Sequence, residues 1–168
     1  FLFLVMFGCV NAAAASGTEF SISVAELSGT RSAHEFQLQD QYNKSYSVSF
    51  PREKHIVLVF GGRKGSSQIE GWVRPLYDRY KSNIDIFGVA ELSAVPGIAK
   101  PVVRQIFKSQ VKYSVMLDWS GKVSRAYGYQ PGKATIVLIQ NNGSISMKKI
   151  GAATTGGLNS IYTRIDNF

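Results

Sequence analysis

The chain has 168 residues, of which 45% are hydrophobic and 18% are charged. This composition is that of one folded domain and excludes a disordered chain, because no stretch is polar and charged enough to stay unfolded. The formal net charge is +8, which favours anionic partners, but the Lys and Arg residues are scattered and no nucleic-acid motif accompanies them. We therefore expect a single domain with a basic surface and no nucleic-acid partner.

The first residues have the pattern of an export signal. An apolar run over 1–10 precedes Asn11 and the small residues 12–16, which is the order of a hydrophobic segment and a signal-peptidase site. The run falls short of the roughly 20 apolar residues that span a bilayer, so no membrane span is predicted. We predict a signal peptide over 1–15, truncated at its start, a flexible segment over 16–33 and one domain over 34–168. A short buried helix is the alternative for 1–10.

Cys9, the single cysteine, lies within this signal and follows Gly8. Lipidation of Cys9 and an ordinary cleaved signal are the two alternatives. After cleavage the domain would contain no cysteine, which excludes a disulfide framework, a thiolate metal site and a cysteine nucleophile. His34 and His55 lie at predicted strand edges without a cluster of other ligands, so neither a metal site nor a cofactor is predicted.

The first half of the domain reads as a hairpin, a central strand and a helix. Polar and apolar residues alternate over 35–39 and 45–50, and the polar residues between them suit a turn. The continuous apolar run 56–60 indicates a strand covered on both faces. We predict a helix that ends at Tyr80, is capped by Ser66 or Ser67 and is kinked by Pro75.

The second half continues this alternation and ends in a hairpin and a helix. Strands are predicted over 84–89 and 115–117, a helix over 96–109 and a helical turn near 123–127. A hairpin joins 135–139 to 144–147 through Asn141-Asn142-Gly143, where Asn-Gly supplies the positive φ angles of a tight turn. A last amphipathic helix carries Leu158 and Ile161. This order predicts a mixed sheet with helices on both faces.

Three stretches together resemble a known family: Phe36-Gln37-Leu38-Gln39-Asp40 with the hairpin that follows it, Val115-Met116-Leu117-Asp118-Trp119-Ser120-Gly121-Lys122-Val123-Ser124-Arg125-Ala126-Tyr127-Gly128, and Ala134-Thr135-Ile136-Val137-Leu138-Ile139-Gln140-Asn141-Asn142-Gly143-Ser144-Ile145. Their order and spacing resemble the thioredoxin fold, in particular its redoxin branch of TlpA-type exported proteins and peroxiredoxins. The resemblance covers about 35–166. It implies an α/β fold: a thioredoxin-like mixed β-sheet with helices on both faces and an N-terminal β-hairpin extension.

Two departures from that family decide the functional expectation. Redoxins carry Cys-x-x-Cys after the central strand, where a depressed thiolate pKa makes one sulfur a nucleophile; here Gly65 and Gln68 stand at the cysteine positions. Ala134 stands where the family has a cis-proline, and Pro131 comes a few residues too early to replace it. We therefore expect no dithiol oxidoreductase. A peroxiredoxin is excluded on the same ground, because serine is a far weaker nucleophile without an adjacent base.

The turn after the central strand is the candidate binding site. It is similar to that of the exported YtfJ-type proteins, in which the strand ends in a Gly-Arg-Ser-Ser-like turn. Amides at a helix N-terminus beside two cations and two hydroxyls attract phosphate, sulfate or a carboxylate. The candidate ligand-binding residues are Arg63, Lys64, Gly65, Ser66 and Ser67. The alternative is a capped helix after a glycine-rich turn that merely replaces a lost active site.

The sequence thus predicts a non-catalytic binding or accessory module of the cell envelope, located in the bacterial periplasm or outside the cell. Its expected partner is an envelope protein or a small anionic ligand, and no catalytic residue is assigned. The alternative is a redoxin-family oxidoreductase or peroxidase-related enzyme that acts through a partner's thiols. A purely structural subunit is a third possibility.

Overall fold

The computed structural model describes residues 31–168, and the predicted signal peptide lies outside them. The domain begins with a two-stranded antiparallel hairpin, β1 (Phe36–Gln39) and β2 (Ser45–Val48). Asp40 fixes its turn, because one carboxylate oxygen accepts the backbone N–H groups of Tyr42 at 2.8 Å and Lys44 at 2.9 Å. The predicted N-terminal hairpin is confirmed.

A five-stranded mixed sheet forms the centre of the domain, in the spatial order β5-β4-β3-β6-β7. Its strands are β3 (Ile56–Gly61), β4 (Asp85–Glu91), β5 (Val115–Asp118), β6 (Thr135–Ile139) and β7 (Ile145–Ile150). β3 pairs in parallel with β4 and antiparallel with β6, and every residue of β3 is buried. The uninterrupted apolar run therefore marks the central strand, as predicted.

Four helices complete the domain: α1 (Glu70–Tyr80), α2 (Lys100–Gln110), α3 (Lys122–Ala126) and α4 (Thr155–Asp166). α1 and α4 cover one face of the sheet, where Trp72, Leu76 and Ile161 pack on Val57 and Val59. The hairpin and the segment around α3 cover the other face, where the core residues include Val48, Ile56, Leu58, Phe60 and Tyr127. Alternate side chains of β3 thus serve two cores, one on each side of the sheet.

The end of α1 is as predicted, because the helix contains Pro75 and runs on to Tyr80. The β6–β7 turn differs from the sequence expectation. In the β6–β7 turn, Gly143 has φ +90°, whereas Asn142 stays at negative φ and accepts the Ser144 N–H at 2.9 Å. The turn needs left-handed backbone at its glycine alone, and a register shift at Ile139 absorbs the extra residue.

The outer strands of the sheet are partly covered. Gln41 is fully buried against β5, where its amide donates to Tyr113 O at 2.7 Å and accepts the Val115 N–H at 2.9 Å. At the opposite end of the sheet, Ser32 forms a bridge with Ser144, so the last residues of the predicted flexible segment pair with the start of β7.

Among the described residues, no helix has the length and apolar character needed to cross a bilayer.

Candidate functional site

The turn that follows β3 lies at the carboxyl edge of the parallel strands, where β4 and β5 also end. Loops at this edge form the ligand crevice of many open α/β sheets. Gly65 N donates to Gly62 O at 3.0 Å and closes the first part of the turn. A short 3-10 helix, Ser66–Gln68, then leads into α1. The candidate binding residues therefore occupy a hydrogen-bonded turn between the central strand and the first helix.

The predicted cap of α1 by Ser66 or Ser67 is wrong. Ile69 is the N-cap residue of α1, and no side chain accepts a hydrogen bond from the helix there. The Ser66 hydroxyl instead donates to Arg63 O at 3.1 Å. The 3-10 turn places the two serines before the helix axis begins, so their oxygens do not reach the first free amides of α1.

The expected set of free helix amides is reduced for the same reason. Gly65 N, Gln68 N and Ile69 N donate to backbone carbonyls of the preceding turn, at 3.0, 3.1 and 3.2 Å. A bound anion would have to displace these bonds to reach the amides. Gly65 is also buried, in contrast to the rest of the predicted set. It supports the turn from within and does not face a ligand.

Gly65 packs directly on the backbone that precedes β6. A Cβ atom built on Gly65 would lie 2.9 Å from the carbonyl carbon, 3.1 Å from the oxygen and 3.2 Å from the nitrogen of Lys133. Only a residue without a side chain fits this approach without a backbone shift. Gly65, which aligns with the first cysteine of the redoxin motif, is therefore in direct contact with the backbone just before β6.

Gln68, which aligns with the second cysteine, connects the same two segments. Its side-chain oxygen accepts the Ala134 N–H at 3.1 Å, and its amide nitrogen lies 3.4 Å from Gly132 O. Ala134 is fully buried. Among the described residues the cis peptide bond is Phe50–Pro51, remote from this site, so Pro131 does not supply the cis-proline geometry of redoxins. The backbone that borders the redoxin active site is here bonded to a glutamine.

Four of the five predicted binding residues remain exposed on the outer side of this turn: Arg63, Lys64, Ser66 and Ser67. Lys133, next to Gly65 in space, is exposed as well. Within the part of the chain that the structure describes, none of the three cations forms an ion pair with a carboxylate. The turn thus presents basic and hydroxyl groups on a fixed backbone, an arrangement suited to an anionic group.

Tyr129 borders the site and was not predicted from the sequence. A Cβ atom on Gly62 would lie 2.7 Å from the Tyr129 hydroxyl oxygen and 3.8 Å from Glu91 O. Burial raises the pKa of Tyr129, the N–H groups of Gly132 and Gly62 oppose that rise, and the charge of Glu91 adds to it. A neutral hydroxyl therefore lies against the turn at neutral pH. Its only sequence signal is its place two residues after Tyr127 in the Ala-Tyr-Gly stretch.

Asp118 and Glu91 have structural partners and do not form an acid–base pair. Asp118 is fully buried, and one of its oxygens accepts both the N–H and the hydroxyl of Ser124, at 2.8 and 2.9 Å. Glu91 accepts the Ser93 N–H at 3.0 Å. Among residues 31–168, no three His, Cys, Asp or Glu side chains are grouped as a metal would require. Asp118 thus joins β5 to α3.

The histidines and tryptophans have packing partners. His55 accepts the Asn141 N–H at 3.1 Å and stacks on Phe168, and burial lowers its pKa. Trp72 is buried and donates to Gly151 O at 2.9 Å, so it belongs to the core. Trp119 is partly buried, and the side chains of Lys100 and Arg104 lie over its ring.

Solved structures with the same arrangement are thioredoxin-like proteins. The crystal structure of the pneumococcal exposed lipoprotein thioredoxin Etrx1 of Streptococcus pneumoniae superimposes with a TM-score of 0.62 at 17% identity, covering 80% of this chain and all (100%) of that one. A putative thioredoxin from Neisseria meningitidis gives a TM-score of 0.60 at 24% identity, with 83% and 93% of the two chains covered. The peroxidoxin BcpB of Mycobacterium tuberculosis gives 0.60 at 14% identity, with 83% and 96% covered.

These similarities, together with the sheet order, define a thioredoxin-like fold and confirm the predicted fold class. No protein-family model matches the chain, and no curated protein matches it in sequence. At these identities the likeness extends to the fold, and the function has to be argued from the site itself.

Proposed function

We propose that this chain is a non-catalytic binding module of the cell envelope that has a thioredoxin-like fold and recognises an anionic group. The observation that carries the proposal is the closed turn. Gly65 lies against the backbone of Lys133, and Gln68 bonds to the backbone at Ala134. Both positions at which redoxins carry reactive sulfur thus hold two parts of the domain together.

Dithiol chemistry needs two sulfurs within reach of each other, and the sequence contains one cysteine, Cys9, far from this turn along the chain. Ser66 and Ser67 do not replace it, because a serine hydroxyl requires a neighbouring base to act as a nucleophile. His34 and His55, the two histidines of the chain, form no hydrogen bond with either serine in the described structure; His34 packs on Tyr127, and His55 accepts the Asn141 N–H. These facts support a binding role over an enzymatic one.

The proposed binding surface consists of Arg63, Lys64, Ser66, Ser67 and Lys133. Its backbone is fixed by the hydrogen bonds of the turn and by Gln68, so little conformational entropy is lost when a ligand binds. Lysine and arginine beside two hydroxyls recognise carboxylate, phosphate or sulfate groups. The partner we propose is an envelope protein that presents such groups, or a small anionic ligand.

Location in the envelope is part of the proposal and rests on the sequence pattern of residues 1–16. The alternative remains an oxidoreductase that works through a partner's thiols, and one structure with this fold is that of a putative thiol:disulfide interchange protein from Chlorobium tepidum. An insulin-reduction assay in which dithiothreitol supplies the thiols separates the two. A rate above that of dithiothreitol alone would support the enzyme and refute the binding module, whereas an unchanged rate would support the binding module.

The binding surface is tested by crosslinking in intact cells, followed by pull-down and mass spectrometry. The wild type is compared with the Arg63→Ala, Lys64→Ala double variant. A matched control, Arg164→Ala with Lys81→Ala, removes the same charge from exposed positions on α4 and after the end of α1. We expect a specific partner to be lost in the first variant and kept in the second. Equal recovery from both variants would place the binding surface elsewhere.

A further inference from the structure

Helix α2 carries two apolar stripes, of which one lies against the domain and the other is exposed to solvent. Residues four apart on a helix line up as ridges along its surface. One ridge of α2 and its flanking turns faces the body of the domain and is partly buried; it consists of Ala99, Val103, Phe107 and Val111. No residue of α2 is fully buried, so the helix rests on the domain surface. Most of its circumference is therefore free.

The ridge on one side of that contact is apolar and protrudes into solvent. Ile98 is 92% exposed, Val102 is 62% exposed and Ile106 is 44% exposed. Single exposed apolar residues are common, but three in line on one helix form a continuous apolar ridge. Ile98 lies in the short 3-10 helix Gly97–Ala99 and extends the line beyond the start of α2.

The ridge on the other side is basic and consists of Lys100, Arg104 and Lys108, and Lys112 follows just beyond the end of the helix. No Asp or Glu occurs between Glu91 and Asp118. Arg104 donates to Asp40 O at 3.3 Å and, with Lys100, lies over the ring of Trp119, so the first half of this basic ridge fixes the helix on the domain.

Lys108 and Lys112 are exposed and form no ion pair with any described carboxylate. Lys108 lies about 120° around the helix axis from Val102, because successive residues are separated by about 100°. Lys112 follows the end of α2 at Gln110. Lysine side chains at that angle can extend beside an apolar face and reach a layer of negative charge. The apolar ridge and the two free lysines thus lie on the exposed surface of α2 and of the turn that follows it.

We propose that this side of α2 lies on an anionic lipid surface, with Ile98, Val102 and Ile106 inserted among the acyl chains and Lys108 and Lys112 at the phosphate groups. Amphipathic helices bind bilayers through this combination of apolar area and cationic side chains. The proposal does not depend on the binding surface around Arg63.

The shape of the ridge favours lipid over a protein segment. Helical and extended peptides are recognised in grooves, whereas these side chains protrude. The groove of about 640 Å³ beside α4 and the cavity of about 220 Å³ between β4 and β5 are both lined by other residues. A protruding apolar ridge flanked by unpaired lysines is complementary to a soft, negatively charged surface.

The test uses a fluorescent probe placed on the ridge of the full chain. An environment-sensitive NBD group is attached through Val102→Cys in a Cys9→Ser background, and a control probe is attached through Tyr77→Cys on α1, which is 60% exposed. Vesicles contain equal amounts of phosphatidylglycerol and phosphatidylcholine, or phosphatidylcholine alone. Because the readout is local, vesicle binding through another part of the chain leaves the probe on Val102 in water.

We expect a blue shift and a rise in NBD emission at position 102 with the anionic vesicles, and neither at position 77. Replacing Lys108 and Lys112 by Gln should raise the lipid concentration that gives half of the maximal NBD response by about fivefold for each lysine. An equal response at both positions, or an equal response with phosphatidylcholine alone, would overturn the proposal. An unchanged probe at position 102 would also overturn it and would leave a protein as the occupant of the ridge.

Discussion

Replacement of Gly65 by alanine tests the closed turn directly. The added Cβ would lie 2.9 to 3.2 Å from three backbone atoms of Lys133, closer than ordinary van der Waals contact. Backbone atoms cannot rotate away as a flexible side chain can, and overpacking of this kind costs about 1–3 kcal/mol. Gly65 has φ −96° and ψ −4°, which alanine also adopts. The loss therefore comes from steric contact and not from backbone conformation.

Alanine also restricts the unfolded chain, which returns about 0.4–1 kcal/mol, so we expect Gly65→Ala to lower the free energy of unfolding by about 1–2 kcal/mol. Equilibrium urea denaturation followed by circular dichroism measures this value. The matched control is Gly156→Ala in α4, where an added Cβ meets nothing within 4 Å; it should be neutral or slightly stabilising. If Gly65→Ala were as stable as the wild type, the turn would not be closed against Lys133.

Three further substitutions test individual contacts. Gln68→Ala leaves the buried N–H of Ala134 without a partner, which should cost about 1–3 kcal/mol in urea denaturation and speed hydrogen exchange at that amide. Gln41→Leu removes the bond from the Val115 N–H and should increase exchange throughout the β1–β2 hairpin, while unchanged exchange would show that the hairpin is held otherwise. Burial raises the pKa of Tyr127 to about 12, above its unfolded value of about 10, so its contribution to stability is complete below pH 10 and is lost as the pH rises toward 12. Tyr127→Phe should flatten that alkaline decline, and a decline as steep as in the wild type would refute the assignment.

The sequence predicted what depends on local pattern. The run 56–60 indicated the central strand because both of its faces are covered, and the structure buries all of β3. The sequence predicted burial less well at residues whose contacts join distant parts of the chain. In the sequence, Gln41 is one of several polar residues in a turn, yet it is buried because the backbone of Tyr113 and Val115, more than 70 residues away, satisfies both ends of its amide.

The candidate site shows the same division. Arg63, Lys64, Ser66 and Ser67 are exposed, as a binding surface requires, but the role of Gly65 is internal. Serine before an apolar periodic segment is a common cap signal, and here a 3-10 turn intervenes and directs Ser66 to Arg63 O. Tyr129 was missed because its contact with Gly62 depends on the folding of the chain between β3 and β6.

Gly65 and Gln68 are coupled, and this coupling explains how a thioredoxin-like domain stays closed without its redox pair. The absent side chain at Gly65 allows the turn to approach Lys133, and that approach brings Gln68 within 3.1 Å of Ala134 N. A larger residue at position 65 would move the turn outward and lengthen the Gln68 bond as well, so the effects of the two substitutions should not be additive. The Gly65→Ala, Gln68→Ala double variant should therefore lose less stability than the sum of the single variants. A full sum would mean that each residue holds the strand independently and that the turn is not one cooperative unit.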